Sequence, residues 1–382
     1  MPDRMVRILA AALGILCTAT AQGQSPVEAW GYTKDLYSII HIRDVTTLHD
    51  NLVHNRLNVE WAPGQQWKLH GGVRTRLFVG DQAGNPFFIE ALGRDVNDYL
   101  DLSLAGRIGE EVVIHTYFDR LYLEYVKDKW QFRLGRQRVN WGIHTTWNPN
   151  DLFNTFAFTD FDYEERPGSD VLSVKYYTGP VGSVEVVVQA FDRLDEATIA
   201  GIWRMNRWNY DFQWLGGVFR DHLVLGGGWA GQLGNWGFKG EFSTFTPFDP
   251  AGDFSATATM GWEYVFEGGL TLTFSGLYNS LGRAQGGLAD LFDFSLSARN
   301  LYPFRWALLA SSGIQIHPLV NGAMTLVYSP ADSHPLFVSP FITWSVATNF
   351  DLDLVAQLTF NKQQDKYTSP VQGWFVRVKW SY

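Results

Sequence analysis

The chain has 382 residues, a single cysteine and a formal charge of −9. An acidic balance of this kind offers no electrostatic footprint for a phosphate backbone, which argues against nucleic-acid binding. Its 16 Trp, 27 Phe and 16 Tyr occur with 37 Gly. No run beyond residue 17 is apolar for the ~18 residues a membrane helix needs, which still allows crossing by strands, apolar at every second residue.

The first residues read as an export leader. Arg4 and Arg7 are basic, residues 8–17 are apolar, and Ala19 and Ala21 have the A-x-A spacing of a signal-peptidase site. A leader 1–21 and a single mature domain 22–382 are therefore expected. Cys17 leaves with the leader, and Leu16 before it is too large for a lipid-attachment site. The remaining chain has no disulfide and must draw its stability from burial or from a bilayer.

From there on the hydrophobic period is two. A first strand is expected at about 30–43. Next, Leu57, Val59 and Trp61 alternate with Arg56, Asn58 and Glu60; past Pro63-Gly64, Trp67, Leu69, Val73 and Leu77 alternate with Lys68, His70, Arg74 and Arg76. Such alternation means one apolar face and one wet face. Short turns are expected at 62–66, 127–129, 178–182, 233–235, 267–269, 318–321 and 348–350. Longer connections fall at 44–48, 80–113, 140–169, 192–196, 247–253, 280–304, 330–335 and 362–371. Strict alternation of short and long connections requires one more strand at about 197–206, a tight turn at Arg207-Trp208 and a very short outer loop at Asp221-His222. The last strand carries Trp374, Val376, Val378, Trp380 and Tyr382 at alternate positions.

These elements predict an all-β fold: a transmembrane antiparallel up-and-down barrel of about 18 strands, with 16 as the fallback. Rings recur at strand ends beside short turns: Trp61, Trp67, Trp130, Trp208, Trp236, Phe266 and Phe350. That placement matches an interfacial girdle, where amphipathic rings sit at headgroup level. A soluble sandwich is the competing reading, with all those rings packed in its core. A barrel this wide leaves a lumen that side chains alone do not fill. Helix is expected at most as a turn or two at 95–105 or 286–298.

The stretch Gly135-Arg136-Gln137-Arg138-Val139-Asn140-Trp141-Gly142 ends a strand. It opens the loop Trp147-Asn148-Pro149-Asn150-Asp151-Leu152-Phe153-Asn154, and Arg166-Pro167-Gly168 leads into the next strand. Over residues 120–190 this pattern resembles alginate-export-like and related outer-membrane porin families of Gram-negative bacteria. The resemblance implies a β-barrel channel and no particular solute. The final strand, with Trp380 and terminal Tyr382, likewise resembles the C-terminal signal read by the barrel-assembly machinery, although Phe is the commoner last residue.

Strand parity puts Arg136 and Arg138 on the lipid face unless a bulge at Gly135 turns them inward, placing Val139 and Trp141 outward. The alternative is that both arginines lie among lipid headgroups. Inward cations then gather as a channel lining: Arg56, Lys68, Arg74, Arg76, Arg120, Arg133, Arg136, Arg138 and Lys175. Opposite them stands an acidic constriction loop with Asp151, Asp160, Asp162, Glu164 and Glu165, and Asp170 after it. Facing walls of opposite charge would set which small ions pass. The competing reading pairs the cations with Glu60, Glu124 and Glu185 inside the wall. Loop aromatics (Trp141, Trp147, Phe153, Phe156, Phe158, Phe161, Tyr163) either stack on sugar rings or pack the loop on itself.

The expected function is passive diffusion of small polar solutes, anions or sugar acids among them, across the outer membrane. Expected partners are outer-membrane lipid, the assembly machinery and those solutes, with a homotrimer compatible with such a barrel. A plugged barrel serving as a structural or assembly partner is the alternative. A hydrolase is a further one, resting on the rim candidates His144, His222 and His334. Those histidines form no nucleophile or acid–base constellation, and the mature chain has no metal-ligand spacing or phosphate loop, so neither an enzyme nor a cofactor is expected.

Overall fold

The computed structural model describes residues 26–85, 88–92, 99–109, 111–155, 160–162, 165–189, 196–286, 294–363 and 366–382. The expected leader lies outside them. The strands begin with β1 (Val27–Ile42), β2 (Thr46–Trp61), β3 (Trp67–Gly80), β4 (Ser103–Ile108), β5 (Val112–Lys127), β6 (Trp130–Gln137) and β7 (Ser169–Tyr177). Then come β8 (Ser183–Gln189), β9 (Thr198–Arg207), β10 (Tyr210–Phe219), β11 (His222–Leu233), β12 (Trp236–Pro247), β13 (Ser255–Val265) and β14 (Thr271–Asn279). The last are β15 (Trp306–His317), β16 (Val320–Tyr328), β17 (Leu336–Ala347), β18 (Phe350–Gln363), β19 (Lys366–Thr368) and β20 (Val371–Ser381).

Eighteen of these strands make one closed antiparallel barrel. β4 and β19 are additions: β4 pairs with the half of β5 that the short β6 leaves uncovered, and β19 extends β18. Closure is made by β1 and β20, in register from Tyr32↔Ser381 to Ile42↔Val371. Gly31 and Tyr382 exchange backbone hydrogen bonds at 2.8 and 2.9 Å, and the Tyr382 hydroxyl accepts from Asn55 Nδ2 at 2.8 Å. Sealing the edge satisfies backbone groups that hydrocarbon would leave bare, at several kcal/mol each.

The strand inferred from connection lengths is β9, and Trp208 and Asn209 after it both have positive φ, at 54° and 61°. Such a two-residue turn matches the twist of the flanking strands. The next loop is as short as expected, with Arg220 at φ 55° before Asp221. A helical turn lies at Phe88–Leu92 and Ser103–Ile108 is strand, while residues 95–98 and 287–293 of the expected helical stretches lie outside the described residues.

Outward residues form an exposed apolar belt. The rings assigned to a girdle, from Trp61 and Trp67 to Phe350, are all exposed, Trp208 most at 77 %. Many pair across strands, as Trp67 with Tyr125 at 4.5 Å, Trp130 with Tyr176 at 4.7 Å and Trp236 with Tyr264 at 4.9 Å. A soluble sandwich would bury them.

The inner face departs from uniform polarity. On β7–β12 it carries buried Val171, Val187, Ile202, Leu215, Val224 and Phe245, covered by Val139, Trp141, Leu152 and Phe153 of the loop 138–168. On β14–β17 it carries Leu277, Leu309, Val327 and Phe337, packed with Trp147 and with Leu301, Tyr302 and Phe304 of the loop 280–305. Half the wall is thus an apolar seat for inward-folded loops, and the bore is narrowed from that side.

A charge on the outer belt tests the lipid assignment. Phe274, exposed at the middle of β14, should cost ~2–4 kcal/mol on replacement by Arg. Urea unfolding in lipid vesicles reads this; an unchanged midpoint would contradict a hydrocarbon-facing position.

Candidate solute path

The wall opposite the apolar seat is cationic. β20, β1, β2, β3 and β5 place Arg377, Lys34, Arg56, Arg74 and Arg120 on the inner face, with Arg76 toward the loop end of β3. Regular pleating delivers those on β1, β2 and β3, paired as Lys34↔His54 and Arg56↔Arg74. On β5 the register shifts opposite Gly72/Val73, which face Arg120 and Phe118, leaving Asp119 as an extra residue. That bulge turns both Asp119 and Arg120 inward, since an inserted residue resets the side-chain parity.

Asp119 is buried and joins the cluster. It accepts from Arg56 in a short contact and lies 3.1 Å from Arg74 Nε and 3.7 Å from Arg120 Nη1 as their counter-charge. Buried guanidiniums persist when their donors are met and the charge is answered. Arg76 reaches His115 Nδ1 at 2.7 Å and stacks 5.1 Å over the Tyr117 ring.

The loop 138–168 leaves β6, crosses the bore and meets this wall. Lys34 Nζ binds Asp162 Oδ1 and the Asp162 carbonyl, both at 2.7 Å, and Arg377 Nη1 reaches the same carboxylate at 3.1 Å. Glu165 contacts Arg56, its carbonyl accepts from Arg74 at 3.0 Å, and the Arg166 carbonyl accepts from Arg120 at 2.6 Å. The acidic loop and the basic wall therefore touch. The expected transverse field between separated walls is replaced by ion pairs. Asp160 sits beside this contact, and burial raises its carboxyl above the usual carboxylate range. Glu164, Phe156, Phe158 and Tyr163 lie outside the described residues.

The loop's other end is held by β11 and β12. Glu241, fully buried, accepts from the backbone N–H of Ile143 at 2.6 Å, of His144 and of Asn150 at 3.2 Å. Asn150 Nδ2 donates to the Gly227 carbonyl at 3.0 Å. The Gly226-Gly227-Gly228 run permits this approach: a Cβ at Gly226 would lie 2.8 Å from Asn150 Oδ1, and one at Gly228 2.9 Å from Ile143 Cδ1. Within the loop, Asp151 takes Arg166 at 2.5 Å and the Trp141 N–H at 3.0 Å. Burial raises its carboxyl, and Arg166 pulls it back.

Other sequence expectations land elsewhere. Gly135 has φ 117°, but β6 runs in continuous register through it, and Val139 and Trp141 are buried in the loop core rather than outward. Arg136 keeps the parity of outward Leu134 and Leu172, yet is covered where β4 replaces β6. It binds Asp170 Oδ1 and Oδ2, both at 2.9 Å, and the carbonyls of Phe118 (3.0 Å) and Leu100. Toward the turn end, Lys68 pairs with Glu60 at 2.6 Å and Arg133 with Glu124 at 2.5 Å, the wall pairing weighed against a lining role. Arg204, on the inward parity expected for the strand at about 197–206, pairs with Glu185 at 3.1 Å.

Two cavities flank the loop. On its turn side a space of about 640 Å³ is lined by Arg133, Arg138, Lys175, Arg204, Glu185 and Asp211. On its loop side one of about 280 Å³ is bounded by Leu36, Leu52, His54, Arg76, Phe161 and Phe375. Trp141, Trp147 and Phe153 are buried, so these aromatics pack the loop, while Phe161 meets Phe375 at 4.8 Å.

The three rim histidines each have a different partner. His144 is inside the lumen, its Nε2 3.3 Å from Ser275 Oγ, and burial lowers its pKa to about 4. His222 pairs with Asp221 at 2.6 Å, and His334 meets the Tyr328 hydroxyl at 2.7 Å. Among the described residues no group of His, Cys, Asp and Glu could hold a metal.

Solved structures share this architecture. Acinetobacter baumannii OccAB4 is 10 % identical, with 93 % of this chain and 97 % of that chain covered at a TM-score of 0.60. The fold is that of a Gram-negative outer-membrane porin. Pseudomonas aeruginosa OccK5 (OpdH) is 8 % identical over 93 % and 98 % of the two chains, TM-score 0.59. Pseudomonas aeruginosa OpdK solved with vanillate is 11 % identical over 93 % and 98 %, TM-score 0.54. No protein-family model and no curated protein matches the chain, so the narrower alginate-export likeness rests on its residues alone.

Glu241 is expected to be the loop's anchor. Glu241→Ala leaves buried N–H groups without an acceptor, at ~1–3 kcal/mol each. Limited trypsinolysis should then cut after Arg138 in the folded barrel, where the parent is resistant; equal resistance would show that the loop is held by other contacts.

Proposed function

We propose that the chain is an outer-membrane channel for passive diffusion of small polar solutes, with anions and sugar acids preferred. The observation that carries this reading is the ladder of Arg377, Lys34, Arg56, Arg74, Arg76 and Arg120 along one inner wall of a closed barrel. Lines of one charge at a constriction select small ions of the other. Arg138 and Lys175 continue the cationic lining beyond the loop, with Lys68, Arg133 and Arg204 as paired neighbours. The vanillate held by OpdK is a carboxylate on a ring. A cavity combining Arg76 with Phe161 and Phe375 suits that chemistry.

On this reading, cleavage near Ala21 releases the chain to the periplasm of a Gram-negative bacterium. The barrel-assembly machinery then reads β20 with Trp380 and Tyr382, and outer-membrane lipid meets the ring belt. A homotrimer is the proposed assembly, and the solutes leave unmodified. The short turns face the periplasm and the long loops the outside, the usual orientation of such barrels.

A plugged scaffold is the second reading, favoured by the aromatic packing of the loops 138–168 and 280–305 in the lumen. Planar-bilayer recording separates the two. A channel gives steady conductance steps and an anion-selective reversal potential under a KCl gradient, shifted toward cations by Arg74→Ala and by Arg76→Ala. Silence would favour the scaffold, and cation selectivity indifferent to both substitutions would remove the ladder's role.

A further inference from the structure

The ladder's anion positions are filled by the chain itself. Asp162 is gripped by Lys34 and Arg377, and Glu165 by Arg56, while Arg74 and Arg120 take the carbonyls of Glu165 and Arg166. These groups belong to a loop rooted on β6 and β7, yet they contact β1, β2, β3, β5 and β20. Carboxylates and carbonyls on cations are what an anionic solute would present at the same place.

We propose that Asp162 and Glu165 are a tethered competitor for the ladder, and that they set the channel's charge selectivity. This rests on the solute path above. An arriving carboxylate exchanges with them, ion pair for ion pair, so no buried cation is stranded during passage, a loss that would be strongly destabilising. The wall prepares for the exchange: Arg377 keeps Asp353 at 2.8 Å, and Arg56 keeps Asp119, when the loop carboxylates leave. The loop has a second attachment through Glu241 and Asn150, so the tip can release without its root. Space lies alongside, in the 280 Å³ cavity bounded by Phe161 and Phe375. Glu165 is also reachable, its side chain being 37 % exposed against 15 % for Asp162.

The experiment uses the full barrel in planar bilayers with benzoate as the probe. Asp162→Asn keeps the shape and removes the charge. The anion-to-cation permeability ratio should rise ~3-fold or more, the scale for one charge lost at a constriction. The benzoate concentration that halves the KCl current should fall by a similar factor. Asp249→Asn makes the same change on an exposed outer residue and should alter neither quantity. Both quantities unchanged in Asp162→Asn, or an equal change in Asp249→Asn, would overturn the proposal. A parent without conductance would instead overturn the solute path. Should Asp162→Asn fail to fold, Glu165→Gln carries the test on the same criteria.

Discussion

Backbone N–H and C=O groups in hydrocarbon have no partner but one another, and a sheet meets that demand only when it has no edge. Everything else here follows from closing the ladder between β1 and β20. Closure fixes the inside and the outside of every strand at once, because successive side chains alternate. The outside must then be mainly apolar, with rings where hydrocarbon meets headgroups, and charged groups are favoured inward. An eighteen-strand circumference also makes the bore too wide for wall side chains to fill. The loops inherit that space.

How they occupy it follows from the uneven inner wall. On β7–β12 and β14–β17 the inward residues are aliphatic and aromatic, and loop residues such as Trp141, Phe153 and Tyr302 bury against them. Burial of large rings is worth kilocalories per residue, so these loops are seated by the same force as a soluble core. On the remaining wall the inward residues include Arg377, Lys34, Arg56, Arg74 and Arg120, and the loop tip arrives with carboxylates. One end of the crossing is held by apolar contact and by Glu241, the other by ion pairs. The two kinds of attachment differ in what can replace them: water does not substitute for the first, and a dissolved anion can substitute for the second.

The electrostatics also depend on burial. Arg56, Arg74 and Asp119 are almost wholly shielded from solvent. Removing charges from water costs several kcal/mol per ion, and attraction repays this only with good geometry. Asp119 supplies it by facing Arg56 and Arg74 together and lying near Arg120. The exposed pair Lys68–Glu60 has no such leverage and contributes little beyond local order.

Period-two patterning, ring placement and connection lengths by themselves determined the closed barrel and the alternation of short and long connections, including the strand Thr198–Arg207, and pointed to eighteen strands with sixteen as the fallback. These are local properties, set by a pleat that repeats every second residue. The inward direction of Arg56, Arg74 and Arg76 was legible for the same reason. Signals for the loop were present but are readable only with a partner in view. The parity of polar residues flips between Asp119 and Arg120, which marks the bulge, and Gly226-Gly227-Gly228 marks a close approach. That Asp162 would meet Lys34 and Arg377, that Glu241 would hold the loop, and that Val139 and Trp141 would turn inward were decided by tertiary structure alone. A loop's landing place depends on which residues distant strands present across the bore, and no pattern within the loop records that.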